Sequence, residues 1–134
     1  MSKVIVLDTH AWVWWVSKPE QLSDKTRNAV RQATEMNTLF ISSISVWEVA
    51  MLTEKGRLEL TLDVGEWVAA SEALPFIHFV PVNNHIAIKA VKLPQPFHSD
   101  PADRIIIATA LSLGATIVTM DRKILDYPHA KTLW

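Results

Sequence analysis

Apolar positions along this chain follow two alternating rhythms: short β-branched runs, and longer stretches with an apolar residue every three or four positions. Residues 3–7 (Lys-Val-Ile-Val-Leu) form a run that ends at Asp8 and reads as a strand buried on both faces. Residues 10–16, with Trp12, Trp14 and Trp15, read as a short helix. Ser23 opens a helix to about Met36, with Ala29, Val30 and Ala33 on one side. Residues 38–41 form a strand, and Ser43 or Ser45 caps a helix that runs to Lys55 and stops at Gly56. Residues 63–73 are helical, ended by Pro75. Residues 77–80 form a strand, and Asn83 or Asn84 caps a helix to about Lys92.

Residues 93–99 are a loop by their two prolines. Asp100-Pro101 starts a helix through Leu113 that is apolar nearly all round, as a central buried helix would be. Gly114 ends it, residues 116–119 form a strand, and a last short strand falls near 131–133. Strands alternating with helices over short links give an α/β fold with a parallel sheet covered on both faces. With 134 residues and no repeat or linker, residues 1–134 read as one domain.

Composition changes this picture little. The chain is 49% hydrophobic and 20% charged, as in an ordinary globular protein, and its net charge of −1 neither supports nor excludes a nucleic-acid partner. The absence of cysteine removes disulfides, thiolate catalysis and Cys-ligated zinc. No apolar run is long enough to span a bilayer, and the N-terminal run is too short for a signal peptide, so the cytoplasm is the expected location.

The chemistry lies in the acids. Parallel α/β sheets bind ligands beyond the carboxyl ends of their strands. Asp8 follows the first strand and Asp121 follows the strand at 116–119. Glu48 and Asp103 lie early in helices that start at that same edge. Each also has a structural reading. Ser45 and Glu48 match a capping box, Asp100 and Asp103 make a good helix start, Asp8 or Thr9 suits a cap, and Asp121 suits a turn. Their joint position on one edge is the distinguishing feature. Carboxylates repel one another unless a cation sits among them, and all-oxygen donors select Mg²⁺ or Mn²⁺. Such a site can activate water for phosphodiester cleavage.

The ordered blocks Val6-Leu7-Asp8-Thr9-His10-Ala11, Ser42 to Ala50 around Trp47-Glu48, Asp100-Pro101-Ala102-Asp103-Arg104 with its apolar continuation to Ala110, and Thr119-Met120-Asp121 resemble the PIN domain. The resemblance is greatest to the VapC branch of toxin–antitoxin ribonucleases, and spans residues 4–127. It implies an α/β/α sandwich with a mostly parallel central sheet, and an endoribonuclease dependent on Mg²⁺ or Mn²⁺. It further implies inhibition by a VapB-type antitoxin and a homodimer. By position, Asp8, Glu48, Asp103 and Asp121 match the family's catalytic, metal-holding quartet, and Thr9 its hydroxyl position. Asp100 is expected as a cap or outer support. Two departures stand out: Leu52 replaces a common Lys, with Lys55 or Arg57 as substitutes, and Ala102 replaces Phe.

Arg104 reads equally as a phosphate contact or as an ion-pair partner for an acid such as Asp100. His10 is a rim residue that could assist substrate or proton transfer, while His78, His85, His98 and His129 show no ligand spacing. Trp12, Trp15 and Trp47 read as core or groove lining, and Trp14 as an exposed partner contact. A phosphatase of the haloacid-dehalogenase type needs an Asp where His10 stands. A PIN-fold module that binds RNA or protein with little catalysis is the remaining alternative.

Overall fold

The computed structural model describes residues 3–97 and 99–134. His98 therefore lies outside the described residues. The elements in chain order are β1 (Ile5–Leu7), α1 (Thr9–Ser17), α2 (Asp24–Met36), β2 (Leu39–Ser42), α3 (Ser43–Glu54) and α4 (Val64–Glu72). They continue with β3 (Ile77–Val80), α5 (Asn84–Val91), α6 (Pro101–Leu113), β4 (Thr116–Val118), α7 (Arg122–Leu125) and β5 (Lys131–Leu133). A 3₁₀ turn at Pro19–Gln21 joins α1 to α2.

The five strands pair in the order β3-β2-β1-β4-β5, all parallel. The period of two along a strand then assigns the two cores. Ile5 and Leu7 align with Leu39 and Ile41 and face α1, α2 and α4. Val6 aligns with Phe40 and Ile117 and faces the opposite side, against Ile106 and Ile107 of α6 and Ile124 of α7. The sheet is thus sandwiched between helical layers, as the alternation of elements predicts.

Trp12 anchors the first layer. It is fully buried, its ring packs against Trp67 (centroids 4.6 Å apart) and Phe79 (5.5 Å), and its Nε1 donates to Ser71 Oγ at 3.2 Å. Burying an indole is favourable only when its N–H finds such an acceptor. In the second layer α6 packs under β1, β2 and β4 with Ile106, Ile107, Ala108 and Ala110 buried. Gly114 closes α6 in the left-handed region at φ +63°, a conformation that glycine adopts without the Cβ clash.

Two local readings change. Ser42, not Ser43 or Ser45, caps α3, accepting from the Ile44 N–H at 3.2 Å. The reason is that β2 runs directly into α3, so the last strand residue is also the cap. The segment after Asp121 is a short helix rather than a simple turn. Of the two readings of Trp47, core or groove lining, the structure selects the groove: the residue is 57% exposed.

Candidate active site

Parallel strands place Asp8, Asp121 and the starts of α3 and α6 at one edge of the sheet, and each acid is set there by a specific device. The Asp8 N–H donates to Val118 O at 3.1 Å, which extends the β1–β4 ladder by one residue. Asp8 then caps α1: its Oδ1 accepts from the Ala11 N–H at 2.8 Å, and its Oδ2 accepts from the Thr119 hydroxyl. Both carboxyl oxygens are engaged, and the side chain is buried. Thr119 is itself fully buried and does a second job, accepting the Asp121 N–H at 3.0 Å. One hydroxyl therefore sets two acids. Asp121 caps α7, with Oδ1 accepting from the Lys123 N–H at 2.9 Å.

Glu48 is held differently. Because α3 begins at Ser43, the capping box with Ser45 does not form; Glu48 Oε1 instead accepts from the Thr9 hydroxyl, and Ser45 Oγ lies 2.9 Å from Thr9 Oγ1. Asp103 lies in the first turn of α6, where Asp100 is the cap and accepts the Asp103 N–H at 3.0 Å. Of the two expectations for Asp100, cap or outer support, the structure shows the cap.

The electrostatics join these residues into one cluster. Burial pushes the Asp8 carboxyl above its usual range, opposed by the Thr119 and Ala11 hydrogen bonds and by His10, and reinforced by Asp121. Burial likewise raises Glu48, with Thr9 opposing and Asp100 and Asp8 reinforcing. Asp103 is pushed up to about 7, first by burial and then by Asp100, Asp121, Glu48 and Asp8. Like charges and desolvation both disfavour ionisation, so this cluster holds its negative charge at a cost that a cation would relieve. Among the described residues, no three His, Asp or Glu side chains are gathered tightly enough to hold an ion as they stand. The fit to a cation is one of charge and of hard oxygen donors.

Beside the cluster, Ile44, Trp47, Met51, Pro101 and Ala102 line a groove of about 300 Å³ that also touches Glu48 and Asp100. His10 is exposed at the rim, 6.1 Å from the Trp14 ring. Arg104 also makes backbone contacts. Its Nε and Nη2 donate to Ala90 O at 2.9 Å and Val91 O at 3.1 Å, tying α6 to the C-terminal carbonyls of α5. That use was in neither sequence reading of the residue. Trp15 is half-buried against Phe76, and Trp14 is half-buried against Trp134 rather than exposed. Lys55 and Arg57 are exposed beyond the end of α3.

Two buried hydroxyls, Thr119 and Ser45, escaped sequence reasoning as site residues. The spacing Thr119-Met120-Asp121 carried a signal, since a Thr two residues before an Asp can accept its backbone N–H. Ser45 carried only a misleading one, the capping box.

The PIN domain family model matches residues 5–130. Ribonuclease VapC22 of Mycobacterium tuberculosis (strain ATCC 25618 / H37Rv) is 35% identical over 132 residues, covering 97% of this chain and 98% of that protein. Among solved structures, VapBC2 from Rickettsia felis bound to a DNA fragment from their promoter superposes with a TM-score of 0.71 at 18% identity, covering 96% of each chain. DNA-bound VapBC from Salmonella typhimurium does so with a TM-score of 0.68 at 21% identity, covering 99% of this chain and 98% of that one. At those identities the two structures speak for the fold.

Proposed function

The chain belongs to the PIN-domain family, and from that premise we propose that it is a VapC-like toxin: a divalent-metal-dependent endoribonuclease held in check by a VapB-type antitoxin. The relative named a ribonuclease supports the RNA-cutting activity. Structural neighbours solved as VapBC complexes support the antitoxin partner. The observation that carries the metal dependence is the gathering of Asp8, Glu48, Asp103 and Asp121, where burial and neighbouring acids push the Asp103 carboxyl up to about 7. We assign those four as the catalytic, metal-holding set, with Thr9 and Asp100 in support.

A bound Mg²⁺ or Mn²⁺ supplies a nucleophilic water at neutral pH and neutralises charge on the phosphate. The protein's own part is to keep the donors in place. Asp8, fixed through both oxygens, is the most rigid of them. Asp121 is kept in step with it through Thr119, and Glu48 is held by Thr9. The Asp103 carboxyl, pushed up to about 7, must give up its proton for the full negative set to form. The groove along Trp47 gives single-stranded RNA an apolar wall beside the acids. Arg104 braces α6, and so the position of Asp103 within it, against α5.

The family pattern further implies one domain over residues 1–134 that forms a homodimer, which light scattering reads as twice the 15.1 kDa chain mass. Among the described residues no helix is long and apolar enough to cross a membrane.

The test is to purify the chain free of antitoxin and incubate it with total RNA plus Mg²⁺ or Mn²⁺, beside EDTA and Asp8→Ala controls. Cleavage lost in both controls supports the reading. Cleavage that persists in either sinks the metal–carboxylate mechanism, and no cleavage by a well-folded chain favours the binding-module alternative.

A further inference from the structure

Ser45 is fully buried, sits one turn before Glu48 on α3, and does not cap that helix. Its Oγ lies 2.9 Å from Thr9 Oγ1, and Thr9 Oγ1 also reaches Glu48 Oε1. Thr9 has a single hydroxyl proton to give. A carboxylate is the stronger acceptor, since a hydrogen bond to an ionised group is about twice as strong as a neutral one. The Thr9 proton therefore goes to Glu48, and Ser45 must supply the hydrogen between the two hydroxyls. The result is a directed chain from Ser45 to Thr9 to Glu48, in which each donor polarises the next.

We propose that Ser45 is a positioning residue for the cation site: by donating to Thr9 it commits the Thr9 proton to Glu48 and holds that carboxylate at the acid cluster. The proposal rests on the reading of that cluster as a cation site. Glu48 is half-buried and long, with rotamer freedom to lose when it is ordered. Asp8 is set by two direct hydrogen bonds, whereas Glu48 depends on one hydroxyl whose direction is itself set from behind. Removing Ser45 frees Thr9 to rotate, so the far end of the chain controls the near end without touching substrate or ion.

The experiment is Mn²⁺ binding to the RNA-free chain, followed by electron paramagnetic resonance, for the parent, Ser45→Ala, Thr9→Val and the double variant. Alanine is the best helix former, so Ser45→Ala leaves α3 intact, and thermal unfolding checks this. Ser45→Ala is expected to weaken Mn²⁺ binding about tenfold, as outer partners of metal ligands do. Thr9→Val weakens it at least as much, and the double variant no further, because Ser45 acts only through Thr9. In RNA cleavage Ser45→Ala lowers kcat and leaves KM unchanged. If Ser45→Ala does not fold, Ser45→Cys, which keeps the volume with a weaker donor, carries the same comparison. Parental Mn²⁺ affinity in a folded Ser45 variant, or losses that multiply in the double variant, would overturn the proposal. The Asp8→Ala control separates the two levels: if it binds Mn²⁺ as the parent does, the cation-site reading itself fails and the proposal falls with it.

Discussion

Replacing Asp103 by Asn should make the metal-free protein more stable while abolishing its activity. The Asp103 carboxyl is raised from 3.8 to about 7 by burial and by four neighbouring acids. The folded state therefore keeps a proton that the unfolded chain gives up above about pH 4. The stability tied to this group is intact below the unfolded value and is lost as pH climbs through the folded one. A shift of this size corresponds to a ceiling of about 4 kcal/mol. Asp103 is only partly buried, and solvent screening reduces that to about 1–2 kcal/mol. For a chain of this size the gain is about 4–7 °C in Tm. Asn mimics the neutral carboxyl, so the gap between variant and parent is near zero at pH 4, opens up to about pH 7 and is flat beyond. Thermal unfolding in EDTA at pH 4 and pH 8 measures it, and added Mn²⁺ should raise the parent's Tm but not the variant's. A variant no more stable than the parent at pH 8 without metal, or a gap as large at pH 4, would refute the repulsion argument.

Further outcomes follow from packing and hydrogen bonding. Trp12→Ala, which empties the fully buried centre of the first layer, should cost about 3–5 kcal/mol in urea unfolding, whereas Trp47→Ala should stay within about 0.5 kcal/mol because that ring is largely exposed. Gly114→Ala adds a methyl that meets nothing within 4 Å at φ +63°, so the loss is backbone strain alone. That strain is about 1–2 kcal/mol, read as a lower Tm with cleavage unchanged. Thr119→Val removes the hydroxyl that donates to Asp8 and accepts from Asp121, and should weaken Mn²⁺ binding about tenfold, with Thr119→Ser restoring it.

The legible parts of this molecule are those with strong local periodicity. The strands β1 and β4 and the α6 helix with its Asp100 cap and Gly114 stop follow from apolar runs bounded by turn or cap residues. Asp8 and Asp121 are readable because a strand end in a parallel sheet points a residue at the ligand edge. Both also cap helices, a structural role that does not compete with the proposed one. What the sequence hid are contacts between residues far apart in the chain. Thr119 reaches Asp8 across 111 positions and Thr9 reaches Ser45 across 36, and neither pairing leaves a local pattern. Ser45 misled because a Ser three residues before a Glu imitates a capping box, while the junction of β2 and α3 had already spent Ser42 on that role. Trp47 stayed undecided between core and groove in the sequence because apolar character does not separate the two; the exposure of its helix face puts it in the groove.

The central claim is that cleavage needs a cation held by these acids. The most direct measurement is the single-turnover rate of RNA cleavage against Mn²⁺ concentration, for the parent chain and for Asp8→Asn, which keeps the shape of the side chain. The account predicts a parent rate that saturates with Mn²⁺, falls to background in EDTA and returns when metal is restored. It predicts a variant plateau lower by about 10²-fold or more, the scale of losing a preorganised electrostatic contact in the transition state. A parent rate that is indifferent to EDTA, or an Asp8→Asn chain that cleaves as the parent does, would contradict it.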